Sequence, residues 1–185
     1  MSINTIINSF CGNRIGRGYY SEVFHLKGDK TKVVKLGDIQ KVDCEDADGT
    51  REYLKAIHEG KIKEEFTPEI YEFIDLSMFK APRGKQRPYL CVMKKYEEYE
   101  SGSGPDYYMY NNKLRSIAYK LGIKGTLIDT HRHNVMMDGP KMIVTDPFAY
   151  GHNEPRTTML LSKRVKLVSS TGSFKTEQVC SKVRS

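Results

Sequence analysis

Leu127-Ile128-Asp129-Thr130-His131-Arg132-His133-Asn134-Val135-Met136-Met137 is the stretch on which the reading of this chain turns. An apolar pair delivers an aspartate, and five residues later an asparagine precedes a second apolar run. A carboxylate so placed can orient a hydroxyl and accept its proton, and an amide oxygen is a hard donor suited to magnesium. Both are parts that phosphoryl transfer requires. Downstream, Ile143-Val144-Thr145-Asp146-Pro147-Phe148 ends a short apolar strand in a second aspartate. Alone, an Asp-Pro after a strand reads as a turn. Behind Asp129 and Asn134, Asp146 becomes a second ligand for the same metal.

Upstream lies Ile15-Gly16-Arg17-Gly18-Tyr19-Tyr20-Ser21-Glu22-Val23. Two glycines between strands let a backbone close over phosphates, because no Cβ obstructs the approach. Ser21 stands where a third glycine is usual, and a strand follows where a dinucleotide fingerprint needs a helix. Next, Val33-Val34-Lys35 carries a lysine into a strand, where it offers a fixed charge to nucleotide phosphate. A buried ammonium needs a carboxylate; the following helix supplies Glu52, with Glu45 and Glu59 as rivals. Each part has a bland explanation by itself. Glycine loop, strand lysine, helix glutamate, Asp-x4-Asn and strand aspartate together follow the linear order of the kinase signature set.

The local patterns agree on an α+β chain. Gly28-Asp29 between Val23-Phe24 and Val33-Val34 is a hairpin signal. Residues 46–59 and 107–121 read as helices, the second closed by Gly122. Ile70–Leu76 and Tyr89–Met93 read as strands, with a basic Pro/Gly loop at 81–88 between them, and Asn134–Met137 pairs with Met142–Val144 around Asp138-Gly139-Pro140. The expectation is a small antiparallel sheet with one helix over residues 1–96, hinged at Lys94–Tyr99 to a reduced, mainly helical part over 97–161. A Ser/Thr-rich tail over 162–185 lacks the apolar periodicity to build a core. The formal charge is +7 and the pI about 9.1, with Lys163, Arg164, Lys166, Lys175, Lys182 and Arg184 in that tail. Basic charge favours acidic partners without choosing among them. Tyr107, Tyr108 and Tyr110 at helical spacing are packing residues before they are base-stacking ones, so nucleic acid is a weak reading. The four cysteines show no metal or redox spacing. No apolar run spans a membrane, and the expected setting is the cytoplasm.

From Asp129 to Asp146-Pro147 the chain resembles the early serine/threonine protein kinases of short-tailed lytic bacteriophages. The glycine loop and Val33-Val34-Lys35-Leu36-Gly37 fit the same family, so the resemblance covers roughly residues 13–150. It implies a minimal protein-kinase-like fold that uses ATP and Mg2+ to phosphorylate host bacterial proteins. In that frame Ile15, Gly16 and Gly18 cover the phosphates, and Lys35, paired with Glu52, holds them. The backbone at Met93–Tyr96 meets the adenine, with Val23, Val33 and Met136 as apolar walls. Asn134 and Asp146 carry magnesium, and Asp129 is the catalytic carboxylate.

The chain departs from the protein-kinase pattern in several places. Leu127-Ile128 replaces the usual His-Arg, which removes the receptor for an activation-loop phosphate. Asp146-Pro147-Phe148 replaces Asp-Phe-Gly, and the stretch after Tyr150 is too short for the usual substrate-binding helices. His131 occupies the place of a lysine, a feature similar to aminoglycoside and choline phosphotransferases. Two alternatives follow: a small-molecule phosphotransferase, and a nonenzymatic pseudokinase-like module that binds host proteins.

Overall fold

Ser2 opens the first helix, its hydroxyl accepting the Thr5 N–H at 3.2 Å. In the computed structural model, which describes residues 2–18, 21–38, 49–77, 87–99, 107–123, 127–131 and 133–149, this helix, α1, runs over Ile3–Phe10. Ile3, Ile6, Ile7 and Phe10 recur at the i, i+3, i+4, i+7 spacing that puts apolar side chains on one helical face. The sheet therefore carries a second helix where one was expected. Glu45, residues 46–48 of the predicted helix, most of the 81–88 loop, residues 100–106, Arg132 and the tail lie outside the described residues, as do the side chains of Tyr107 and Tyr108.

Five strands follow: β1 (Cys11–Arg17), β2 (Ser21–Leu26), β3 (Asp29–Gly37), β4 (Ile70–Asp75) and β5 (Tyr89–Lys94). They form one antiparallel sheet in the order β1-β2-β3-β5-β4. The hairpin predicted at Gly28-Asp29 forms, with Gly28 in the left-handed region at φ +81°. Register then sorts the side chains, because directly opposed residues share a face. Val23 opposes Lys35, Lys35 opposes Cys91 and Val33 opposes Met93, so these five line one face. Phe24, Val34, Leu36, Leu90 and Val92 line the other, where Ile6 of α1 packs. With both faces covered, β3 is buried from Val33 to Gly37 and apolar there on both faces apart from Lys35. Lys35 is the charged residue of that buried segment.

Helix α2 (Gly49–His58) lies on the Lys35 side and buries Tyr53, Leu54 and Ala56. Later in the chain come β6 (Glu97–Glu98), a 3₁₀ turn (Tyr107–Tyr110), α3 (Asn111–Lys120), β7 (Leu127–Ile128), β8 (Val135–Asp138), β9 (Lys141–Val144) and β10 (Phe148–Ala149). Beyond residue 96 the described residues thus hold more strands than helix, against the mainly helical expectation. Two-residue strands leave no periodicity to read. Gly122, φ +68°, ends α3 as its position predicted. The β8–β9 hairpin takes β6 on its other edge, and β7 pairs with β10.

One of two buried clusters joins the Lys35 face of the sheet to the later elements: Val33, Tyr53, Leu54, Phe66, Tyr89, Leu114, Val135, Val144 and Phe148 belong to it. The Tyr53 ring meets Phe148 edge-on at 5.5 Å, and its hydroxyl donates to the Val144 carbonyl at 3.2 Å. An aromatic pair of this kind adds about 1 kcal/mol beyond its buried area. The chain divides into two units, Met1–Asn153 and Glu154–Ser185; the second lies outside the described residues. Among the described residues no helix is long and apolar enough to cross a membrane.

Candidate active site

The core just described brings β3, α2 and the ends of β7 and β9 to one place. Lys35 is 5% exposed on β3. Its Nζ lies 2.5 Å from Oδ2 of Asp146, in the turn after β9. The other oxygen of the same carboxylate, Oδ1, accepts the hydroxyl of Thr50, the second residue of α2, at 2.5 Å. Thr50 is fully buried. Asp146 thus receives one charged and one neutral donor from two elements of the N-terminal half.

The short β7–β10 ladder sets Asp129 beside this group. Ile128 opposes Phe148, and the Asp129 N–H donates to the Pro147 carbonyl at 2.8 Å. Thr130 is buried and donates to Asn111 Oδ1 of α3 at 2.9 Å, which anchors the loop from below. The loop then turns, with the Asn134 N–H on the His131 carbonyl at 2.9 Å. Asn134 Nδ2 donates to the Asp129 carbonyl at 2.8 Å and stands 3.3 Å from His131 Nε2. The Asn134 carbonyl accepts Thr145 N–H at 2.9 Å. Side chain and backbone of Asn134 therefore tie the Asp129 loop to the Asp146 turn. His131 Nε2 lies 3.5 Å from Asp129 Oδ1.

The expected Lys35–Glu52 pair is not formed. Glu52 meets Arg51, whose guanidinium also holds Asp75 at the end of β4. Arg51 is 3% exposed, and a buried guanidinium demands carboxylates; it takes the one beside it. At Asp75 burial opposes ionisation, but hydrogen bonds from Ser77 and the Arg51 charge outweigh it and hold the carboxyl below its usual range. Beside Lys35, burial pushes the Cys91 thiol up to about 12, with the ammonium pulling the other way.

Of the proposed adenine walls, Val23 and Val33 share the Lys35 face, as does Met93 of the segment expected to meet the adenine by its backbone. Met136 sits on β8 between Glu98 and Ile143. The Tyr96 hydroxyl accepts the Glu69 N–H at 2.7 Å, so its ring is committed to the start of β4. The glycine loop closes by the Gly18 N–H on the Ser21 carbonyl at 2.8 Å, and Ile15 at its start is exposed. An added Cβ at Gly16 would stand 3.7 Å from Val23, and at Gly18 3.7 Å from Ser21, both ordinary contacts. Folding therefore has room for a side chain at either position. What the glycines leave bare is backbone.

Among the described residues no group of three or more His, Cys, Asp or Glu side chains forms a metal cage. Magnesium commonly takes one or two protein oxygens and fills the rest with water and phosphate. Asp146 and Asn134 fit that demand: both are hard oxygen donors, the Asp146 side chain is 33% exposed, and the Asn134 amide nitrogen is already engaged, leaving Oδ1 to a cation. Sequence reasoning missed Thr50, because a threonine inside a helix expected over residues 46–59 carries no signal of its own. No family model matches the chain, and no curated protein shows significant similarity to it.

Proposed function

We propose that this chain is an ATP- and magnesium-dependent phosphotransferase with a reduced protein-kinase-like fold, acting on serine or threonine hydroxyls of host bacterial proteins in the cytoplasm. The observation that carries the reading is the buried Lys35 ammonium, 2.5 Å from Asp146, beside an Asp129 loop bound through Asn134 to the same turn. Cation, base and metal ligands thus converge from three separate motifs.

In this reading Lys35 binds and orients the nucleotide phosphates, while the open backbone at Gly16 and Gly18 approaches them from the sheet. Magnesium, when bound, neutralises phosphate charge at Asp146 and Asn134. Asp129, its carboxylate one-third exposed, accepts the proton of the acceptor hydroxyl as that oxygen bonds to the terminal phosphorus. The bridging bond breaks and ADP leaves. Positioning and electrostatics supply most of the acceleration in such a transfer.

A second reading rests on His131. Its contact with the Asp129 carboxylate supports a small-molecule acceptor, as in aminoglycoside-type phosphotransferases. One experiment separates the outcomes: γ-labelled ATP and magnesium with the full chain, a bacterial lysate or an aminoglycoside panel, and Asp129→Asn as control. Label on protein serine or threonine, lost in the variant, is expected. Label on the small molecules alone transfers the assignment to the second reading. Nucleotide binding without transfer to any acceptor supports the pseudokinase-like module and overturns both.

A further inference from the structure

Thr50 is the least expected participant at this site. Its hydroxyl has one proton, and the Asp146 Oδ1 at 2.5 Å and the Phe148 carbonyl at 3.3 Å are both acceptors in reach. The shorter, charged acceptor takes the proton, since hydrogen bonds to carboxylates are the stronger ones. The Arg51–Glu52 pair is turned to Asp75, so the contribution of α2 to the site is a hydroxyl on the aspartate, not a carboxylate on the lysine.

We infer that Thr50 is the positioning residue that keeps Asp146 in metal-binding orientation when Lys35 leaves it for nucleotide phosphate. Without nucleotide, Asp146 is held at both oxygens. Phosphates draw the Lys35 ammonium away, and Oδ2 becomes open to the cation. The Thr50 hydroxyl then still holds the carboxylate by Oδ1. This inference rests on the phosphotransferase reading and adds to it the residue that couples α2 to metal affinity.

The test uses Mn2+ as a spectroscopic stand-in for magnesium. Free Mn2+ is titrated by electron paramagnetic resonance against the full chain saturated with ADP, and ADP affinity is measured separately in EDTA. Thr50→Val is expected to weaken Mn2+ binding about 10-fold, the usual scale for a lost partner of a metal ligand. Metal-free ADP affinity should stay within about twofold, a split that a merely structural defect would not produce. Thr50→Ser should restore Mn2+ binding. If Thr50→Val loses its cooperative melt, Thr50→Ala carries the same expectation. Equal Mn2+ affinity in wild type and a folded Thr50 variant overturns the role of Thr50 while leaving the phosphotransferase reading intact. No ADP-dependent Mn2+ binding in the wild type overturns both.

Discussion

Lys35 on β3 and Asp146 after β9 form an ion pair whose two ends live in different surroundings: the lysine side chain is 6% exposed and the aspartate 33%. Removing one member is therefore not equivalent to removing the other. Asp146→Ala strands a buried ammonium and should destabilise by about 2 kcal/mol, less than the ~3–5 kcal/mol of a fully buried pair because water reaches the carboxylate side. Lys35→Met fills the same space with apolar atoms and leaves a carboxylate that still has Thr50 and water, so it should cost under about 1 kcal/mol. Urea denaturation of both variants checks the asymmetry; equal losses would mean the pair does not carry it.

On the phosphotransferase reading, a second expectation separates the proposed base from its tether. Asp129→Asn should retain ATP affinity and lose transfer by about 10²-fold or more, since proton acceptance alone is removed. Asn134→Asp keeps an oxygen for the cation but loses the amide donor that binds the Asp129 carbonyl. It should keep metal-dependent nucleotide binding while transfer falls, and calorimetry alongside a turnover assay reads both. Asn134→Asp with wild-type turnover would remove the tether from the argument.

Glycines offer a third contrast. A Cβ at Gly37 would stand 2.1 Å from the Tyr89 ring, which is fully buried and stacked on Phe73 at 5.5 Å. Gly37→Ala should cost about 3 kcal/mol, because the buried Tyr89 ring must shift to admit the methyl group. Gly16→Ala meets only an ordinary contact and should leave the melting temperature nearly unchanged while weakening ATP. A Gly16→Ala protein that binds ATP as wild type does would exclude that loop from the phosphates.

The alkaline limb of stability gives the fourth. Cys91 has its thiol raised by burial from the ordinary value of 9.0 to about 12, so the folded state favours the neutral form. Its contribution is complete below pH about 9 and is lost as pH rises toward 12. Buried Tyr53, whose phenol is also pushed up by burial, acts in the same direction. Cys91→Ala should lower stability at neutral pH through lost packing yet make the decline between pH 8 and 10.5 shallower. An unchanged slope in chemical denaturation across that range would assign the limb elsewhere.

What the sequence displayed and what it hid follow from distance along the chain. The β2–β3 and β8–β9 hairpins were legible because their turn residues and alternating strands lie within about a dozen positions. Strands β4 and β5 announced themselves by β-branched and aromatic runs. Helix α1 is legible in principle, from Ser2 and the spacing of Ile3, Ile6, Ile7 and Phe10, but eight residues give barely two turns of pattern. The motif residues Lys35, Asp129, Asn134 and Asp146 were found by chemistry and order. Their pairing was not, because the choice between Glu52 and Asp146 depends on Arg51 being buried, and burial is decided by the whole fold. Thr50 was hidden for the same reason.

The bond from Thr50 to Asp146 joins residues 96 positions apart, and this sets a timetable. Contacts so far separated form after local ones, since the loop between them must close first. The hairpins of the β1–β2–β3 meander can assemble while the chain is still being made, with Lys35 already on its strand and no carboxylate in reach. The inner face of that sheet, which later packs Val33, Tyr89, Cys91 and Met93 against Val135, Val144 and Phe148, stays open until β9 and β10 arrive. The Lys35–Asp146–Thr50 group is thus the last thing the chain assembles, and a nascent or truncated product ending before Phe148 lacks the core contacts of that residue and leaves an apolar face uncovered.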